Sequence, residues 1–131
     1  SNKLNSSRFL IREPGVRNEE LLEQHLNNND PTVLISPSMS HGVDLKDDLA
    51  RFQIIVKAPY LPTKDKRVDR LMNDNFNWYA NKMLCSLIQS CGRGVRSKKD
   101  YCITYILDGA IVESVVKNKH KLPKYFIDRF L

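Results

Sequence analysis

Apolar residues in this chain fall into short runs separated by polar stretches, with one long periodic segment past the middle. Phe9, Leu10 and Ile11 form the first run, short enough for a strand, and Pro14-Gly15 breaks the chain after it. Leu21, Leu22 and Leu26 then recur at helical spacing. Asn18 stands where it can cap that helix, and Asn27, Asn28, Asn29 and Asp30 end it. Residues 32–35 are a second compact apolar run, followed by a polar loop over 36–48 that holds Pro37 and Gly42. A third strand is expected over 52–56, stopped by Pro59 and Pro62. Residues 64–73 read as a helix with Val68, Leu71 and Met72 on its buried side. The strongest helical signal comes next: Phe76, Tyr79, Ala80, Met83, Leu84, Leu87 and Ile88 recur at spacings of three and four. A fourth strand over 101–107, a short helix over 111–117, and a last helix opened by Pro123 and carrying Tyr125, Phe126 and Phe130 complete the pattern.

The strands are continuous apolar runs rather than alternating ones, which is the pattern of strands buried on both faces in parallel sheets. Helices interleaved with such strands imply βαβ crossovers. The expected fold is therefore a small three-layer α/β domain with a mainly parallel sheet. Ligands of such domains sit beyond the carboxyl ends of the strands. Two polar stretches adjoin strands: residues 36–44 directly follow one, and residues 89–96 directly precede another.

Bulk properties narrow this picture further. A chain of 131 residues holds one domain, and 41% hydrophobic with 27% charged residues is an ordinary globular composition. The net charge of +6 and pI near 9.3 suit a polyanionic partner without requiring one. Cys85, Cys91 and Cys102 are odd in number, lack C-x-x-C spacing and lie in apolar surroundings, so they read as buried thiols of a reducing, cytoplasmic compartment. None of His25, His41 and His120 supplies a fourth ligand at metal-site spacing. There is no signal peptide or membrane-spanning run, and so no membrane partner is expected. The chain opens Ser1-Asn2 without an initiator Met, which reads as a tag-cleavage remnant (residues 1–7 carry no periodic signal) on an excised piece of a longer protein.

The chemistry-bearing candidates are few. On a continuing helix, Gln89, Arg93 and Arg96 would share one face, with Gly92 keeping the neighbourhood clear of a side chain. Two guanidiniums and an amide on one face suit phosphate; a solvated basic helix end is the plainer alternative. In the loop Ser36-Pro37-Ser38-Met39-Ser40-His41-Gly42-Val43-Asp44, hydroxyls and backbone N–H groups can hold phosphate oxygens, and Asp44 can accept from a ribose hydroxyl or pair with an Arg. A polar loop capping the next turn is its bland counterpart. Lys57, Lys64, Lys66, Arg67 and Arg70 form a basic stripe fitting a nucleic-acid backbone, or a solvated face. Trp78 and Tyr79 could stack on bases but read better as core. His41 reads as a loop residue, and Asp108-Gly109 as a structural turn.

Together these stretches resemble the second RecA-like domain of superfamily 2 helicases, in particular the XPD/DinG-like branch. Gln89-x-x-Gly92-Arg93-x-x-Arg96 looks like helicase motif VI, and residues 36–45 look like motif V of that branch. Phe52-Gln53-Ile54-Ile55-Val56-Lys57-Ala58-Pro59-Tyr60 is similar to the strand and Pro-Tyr turn that come next, and the tail from Asn118, with Leu122-Pro123, has the family's look. The resemblance covers roughly residues 28–131.

It implies roles by position. Arg93 and Arg96 would be arginine fingers reaching the γ-phosphate of ATP held by a partner motor domain, with Gln89 at the same interface. Gly42, Asp44 and Gly92 would face the nucleotide. Ser38 and Ser40, with Lys57, Lys64 and Arg67, would grip single-stranded or partly duplex DNA. ATP and Mg2+ would be bound mainly by the N-terminal RecA-like domain of the same protein, because this chain has no G-x-x-x-x-G-K-[ST] loop and no Asp-Glu-x-His box. An iron–sulfur cluster, if the protein has one, would lie in that other part, since no four-cysteine set is present here. The domain also looks truncated at its N-terminus, and His41 stands where the family often has an acidic residue. The expected function is half of an ATP-dependent DNA translocase, inactive by itself. Two alternatives remain at this point: a nucleic-acid or interaction module that keeps the fold without the motor, and an unrelated nucleotide-binding α/β enzyme.

Overall fold

The computed structural model describes residues 6–37, 45, 47–92 and 100–130. The chain divides into two compact units, Ser1–Asp44 and Leu45–Leu131.

The first unit is a βαβ element. Strand β1 (Phe9–Ile11) pairs in parallel with β2 (Val33–Ile35), Phe9 opposite Val33 and Ile11 opposite Ile35, with helix α1 (Asn18–Leu26) between them in sequence. The chain turns after β1 through Glu13, Pro14, Gly15 and Val16, closed by Val16 N–H donating to the Glu13 carbonyl at 3.2 Å. Gly15 has φ +92°, the left-handed value that a turn with Pro second and Gly third requires. Helix α1 starts one residue earlier than a cap at Asn18 would allow. Arg17 holds the cap position without a capping side chain and pairs instead with Glu20 at 2.8 Å. Glu19 and Glu20 in the first turn offset the dipole there. Leu21 is the buried residue of α1, while Leu26 lies largely exposed.

The second unit carries β3 (Phe52–Ile55), α2 (Lys66–Asp74), α3 (Phe76–Cys91), β4 (Ile103–Ile106), α4 (Gly109–Lys117) and α5 (Lys124–Ile127). Strands β3 and β4 pair in parallel, Phe52 opposite Ile103 through Ile55 opposite Ile106. Asp65 caps α2 by accepting from Arg67 N–H at 2.8 Å. Asn75 both ends α2 and caps α3, its side chain accepting from Trp78 N–H at 3.0 Å. On α2, Val68 and Met72 are half-buried at i, i+4 spacing, whereas Leu71, expected with them, falls off the edge of that stripe and is 44% exposed.

The core is built on α3. Met83, Leu84 and Leu87 are buried together with Ile111 and Val115 of α4 and Phe126 of α5, and Ile55 and Ile106 pack against them from the strands. Tyr79 closes the start of the stripe: its ring stacks on Tyr60 at 5.1 Å and its hydroxyl donates to the Leu61 carbonyl at 2.7 Å. It is a core residue, as its spacing suggests.

Burial corrects one expectation about the strands. Apolar runs suggested cover on both faces, but in this unit only one face of the β3–β4 pair is covered. Ile55 and Ile106 point to the helices, while Phe52, Ile54, Ile103 and Tyr105 are each about half exposed (50–52%). Three helices on one side cannot shield the other side of the ladder. The thiols need a second correction: Cys85 is exposed on α3, and only Cys91 and Cys102 are partly buried.

Truncating Leu87, which is 0% exposed, removes packing from both α4 and α5. Leu87→Ala should lower unfolding stability by about 2–5 kcal/mol. Leu71→Ala, at a half-open site, should stay within about 0.5 kcal/mol of wild type. Denaturant midpoints of the two variants test this placement of the core; equal losses would contradict it.

Candidate nucleotide and nucleic-acid interface

Within the Leu45–Leu131 unit, the parallel strand pair sets up two ends. Helix α3 starts near Leu61, beyond the carboxyl end of β3, and finishes where the Cys91 thiol meets the Thr104 hydroxyl near the amino end of β4. It therefore runs antiparallel to the strands. Gln89 and Gly92 lie at its C-terminal end, on the amino side of the strand pair, and both are exposed. Lys57, Lys64 and Arg67 follow β3 at the opposite, carboxyl side. The second unit thus separates the candidate residues into two groups rather than collecting them at the strands' carboxyl ends. Arg93, Arg96, Ser38, Ser40, Gly42 and Asp44, and with them His41, lie outside the described residues.

At the amino side, α3 ends with Gly92 as its cap, whose N–H donates to the Ile88 carbonyl at 3.1 Å. Its φ of −79° is one any residue adopts. A Cβ there would meet, among the described residues, only the Ile88 and Gln89 carbonyl oxygens at 3.6 and 3.7 Å, ordinary contact distances. The local fold does not demand glycine at this position. Underneath, Gln53 Nε2 donates to Thr104 Oγ1 at 2.6 Å, so the two polar side chains on the covered sheet face satisfy one another. Burial pushes the Cys91 thiol up, and burial together with the nearby Asp100 carboxylate does the same for Cys102, so both favour the neutral form.

The same side holds an ionic cluster that sequence reasoning missed. Arg51 Nη1 donates to Asp100 Oδ1 at 2.8 Å and to the Tyr101 carbonyl at 3.2 Å, while Nε donates to Asp48 Oδ1 at 2.9 Å. Its guanidinium also lies 4.6 Å from the centre of the Tyr101 ring. The Asp100 side chain is 1% exposed. The Asp48 and Asp100 carboxylates raise the guanidinium pKa further above its already high range. Nothing in the pattern of the sequence pairs Arg51 with Asp100, since they are distant along the chain and meet only through the β3–β4 register.

At the carboxyl side, the basic stripe is exposed on α2 and the turn before it, with Arg70 facing Asp74 at 3.8 Å. Trp78 is half-buried, with Lys82 Nζ 5.9 Å from its ring centre. Asp108 joins the strands to α4. Its Oδ2 accepts from Ala58 N–H at 2.8 Å and its Oδ1 from Ala110 N–H at 3.0 Å, capping α4 and tying down the segment after β3. The turn is structural, as expected. Among the described residues no group of three His, Cys, Asp or Glu side chains could hold a metal ion, and no helix is long and apolar enough to cross a membrane.

Parallel strand pairs joined by helical crossovers make this an α/β chain. Residues 1–127 match the helicase C-terminal domain family, and this chain belongs to it. The match agrees with the XPD/DinG-like branch of superfamily 2 to which the two motifs pointed. An ATP-dependent DNA helicase CHL1 of Candida albicans is 31% identical over 104 residues, covering 66% of this chain and 12% of that protein. The CHL1 helicase of Debaryomyces hansenii is 27% identical over 104 residues, and chl-1 of Caenorhabditis elegans 25% over 95 residues, with coverage of 66% of this chain in both cases and of 13% and 11% of those proteins. The chain thus spans about an eighth of the length of the curated relatives it matches.

The two N–H groups on Asp108 stabilise its ionised form and hold its pKa below the usual carboxylate range, the Ala58 contact first. A depressed folded-state pKa adds stability that is present above the unfolded-state value, about 3.9, and is lost as pH falls through the lower folded value. Unfolding midpoints followed toward acid should therefore decline more steeply in wild type than in Asp108→Asn, which has no charge to lose. Parallel acid limbs would show that Asp108 carries no such linkage.

Proposed function

We propose that this domain is the second motor domain of an ATP-dependent DNA helicase or translocase. It would supply motif V and the motif VI arginines to ATP held by an N-terminal RecA-like domain of the same protein, and grip single-stranded DNA between strokes. The family match over residues 1–127, with Gln89, Gly92, Arg93 and Arg96 in motif VI order along the sequence, is the observation that carries this reading. The names of the relatives, all ATP-dependent DNA helicases, support the activity and the choice of DNA.

Bound ATP with Mg2+ supplies a phosphoryl group whose transfer to water releases the energy for translocation. This chain's part is electrostatic. Arg93 and Arg96 place positive charge where negative charge develops on the transferring group, and desolvation at a domain interface strengthens that effect. Gln89, exposed at the end of α3, would orient a polar group at the same interface. Gly42, Asp44 and Gly92 line the nucleotide side, and the absence of a Cβ at Gly92 leaves room for close approach. Ser38 and Ser40 hold strand phosphates, and Lys57, Lys64 and Arg67 add the sequence-independent attraction of a basic surface. Alternating closure and opening of the two motor domains converts this into directed movement, because ATP and its products favour different domain arrangements. The compartment that fits is an intracellular one where DNA is handled.

ATP hydrolysis by the full-length protein, with and without single-stranded DNA, tests the reading. DNA should stimulate turnover strongly, and Arg93→Ala should reduce turnover by a factor on the order of 10³ while DNA binding persists. Absence of hydrolysis in wild type would instead favour a binding module that keeps the fold without the motor. Lys64→Ala with Arg67→Ala should weaken single-stranded DNA binding uniformly across sequences and flatten its logarithmic salt dependence by roughly 0.7 per lost phosphate contact. An unchanged salt slope would remove both residues from the strand path.

A further inference from the structure

A second basic run, used by neither motif, lies beyond α4. Residues 117–131 carry Lys117, Lys119, Lys121, Lys124 and Arg129 against the one carboxylate of Asp128, a net +4 in a chain of net +6. Asp128 takes Lys124, at 2.8 Å. Among the described residues no carboxylate pairs with Lys117, Lys119 or Lys121, and all three are exposed. Like charges held this close repel one another and cost stability unless a partner offsets them. The dipole of α4 favours a cation in its last turn, which accounts for Lys117. Its reach ends there and leaves Lys119 and Lys121 without a role in the fold.

These lysines are displayed from a fixed scaffold. Asn118 ends α4 with both its backbone N–H and its Nδ2 donating to the Ser114 carbonyl, at 3.1 and 2.9 Å. Lys119–Lys121 then form a 3-10 turn, closed by Lys121 N–H donating to the Asn118 carbonyl at 2.9 Å. Leu122 packs against the core and Phe126 is buried in it, so the turn is pinned on both sides. Beside Phe126 in α5, the Tyr125 ring is 60% exposed. A protein that reads a basic run as an extended peptide would have to unwind this turn and draw Leu122 and Phe126 out of the core. A nucleic-acid strand reads side chains as they stand on a surface: its phosphates meet cations, and an unpaired base can stack on an exposed ring.

We propose that the Lys119–Lys121 turn and Tyr125 form a further contact site for single-stranded DNA, with Lys119 and Lys121 on its phosphates and the Tyr125 ring on a base. The inference rests on the reading of the full-length protein as a DNA-binding motor.

The test follows the anisotropy of fluorescein-labelled oligothymidine with the full-length protein over a salt series, without nucleotide. Lys119→Gln with Lys121→Gln should weaken binding and flatten the logarithmic salt slope by roughly 0.7 per lost phosphate contact. Tyr125→Ala should weaken binding roughly 5- to 100-fold at an unchanged slope, since no charge is removed. Tyr125→Phe keeps the ring and should bind as wild type does. All three side chains are exposed, so these substitutions leave the core intact. A wild-type protein that binds no oligothymidine would sink the DNA reading, and this site with it. Wild-type binding that the lysine pair leaves unchanged in strength and slope would sink this site alone. Tyr125→Phe as weak as Tyr125→Ala would overturn the stacking contact. Lysine variants that lose binding to polyglutamate but keep it to oligothymidine would give the turn to an acidic protein partner instead.

Discussion

The parallel pairing of β3 with β4 is the constraint on which the second unit depends. Parallel strands cannot be joined by a tight turn, so the chain must travel back along the strands before re-entering the ladder. Helix α3 makes that return, running antiparallel to β4 with Met83 and Leu87 against α4 and α5. The direction of α3 then decides which residues share an end. Gln89 and Gly92 arrive beside Arg51 and Asp100, while Lys57 and the start of α2 lie across the strands from them.

This geometry puts Gln89 and Gly92 on the amino side of the strand pair and the basic stripe on its carboxyl side within the unit. Such a division suits a motor in which phosphate chemistry and strand grip are different tasks coupled through a rigid body, rather than one pocket serving both. Each side has its own fastening: the Arg51 cluster at the amino side, and Asp108, bound to Ala58 and Ala110, at the carboxyl side. The two are unlike in kind. Arg51 brings two carboxylates together around a partly buried charge, whereas Asp108 satisfies one backbone donor at the start of α4 and another in the segment after β3.

Much of the architecture was legible in the order of residues because it rests on local physics. Among the described residues, the strands and α-helices appear where the apolar runs and the three-and-four spacing put them, and Pro14-Gly15 turns the chain as its backbone preferences dictate. The errors have a common origin. Apolar strand residues signalled burial but not which neighbours would cover them, so Phe52 and Tyr105 were expected inside and lie half-open. Leu71 and Cys85 sit on helices at positions where one step of rotation decides exposure, and periodicity does not fix that rotation.

Sequence by itself determined the class of the chain, the order of its elements and its motif-bearing stretches, since backbone preferences, side-chain spacing and the grouping of Gln, Gly and Arg are all written along the chain. Only the tertiary structure decided that Arg51 meets Asp100, that Gln53 meets Thr104, and that α3 delivers Gln89 to the amino side of the strands. Those contacts join residues brought together by strand register and helix packing, and neither has a signature in any one segment of the sequence.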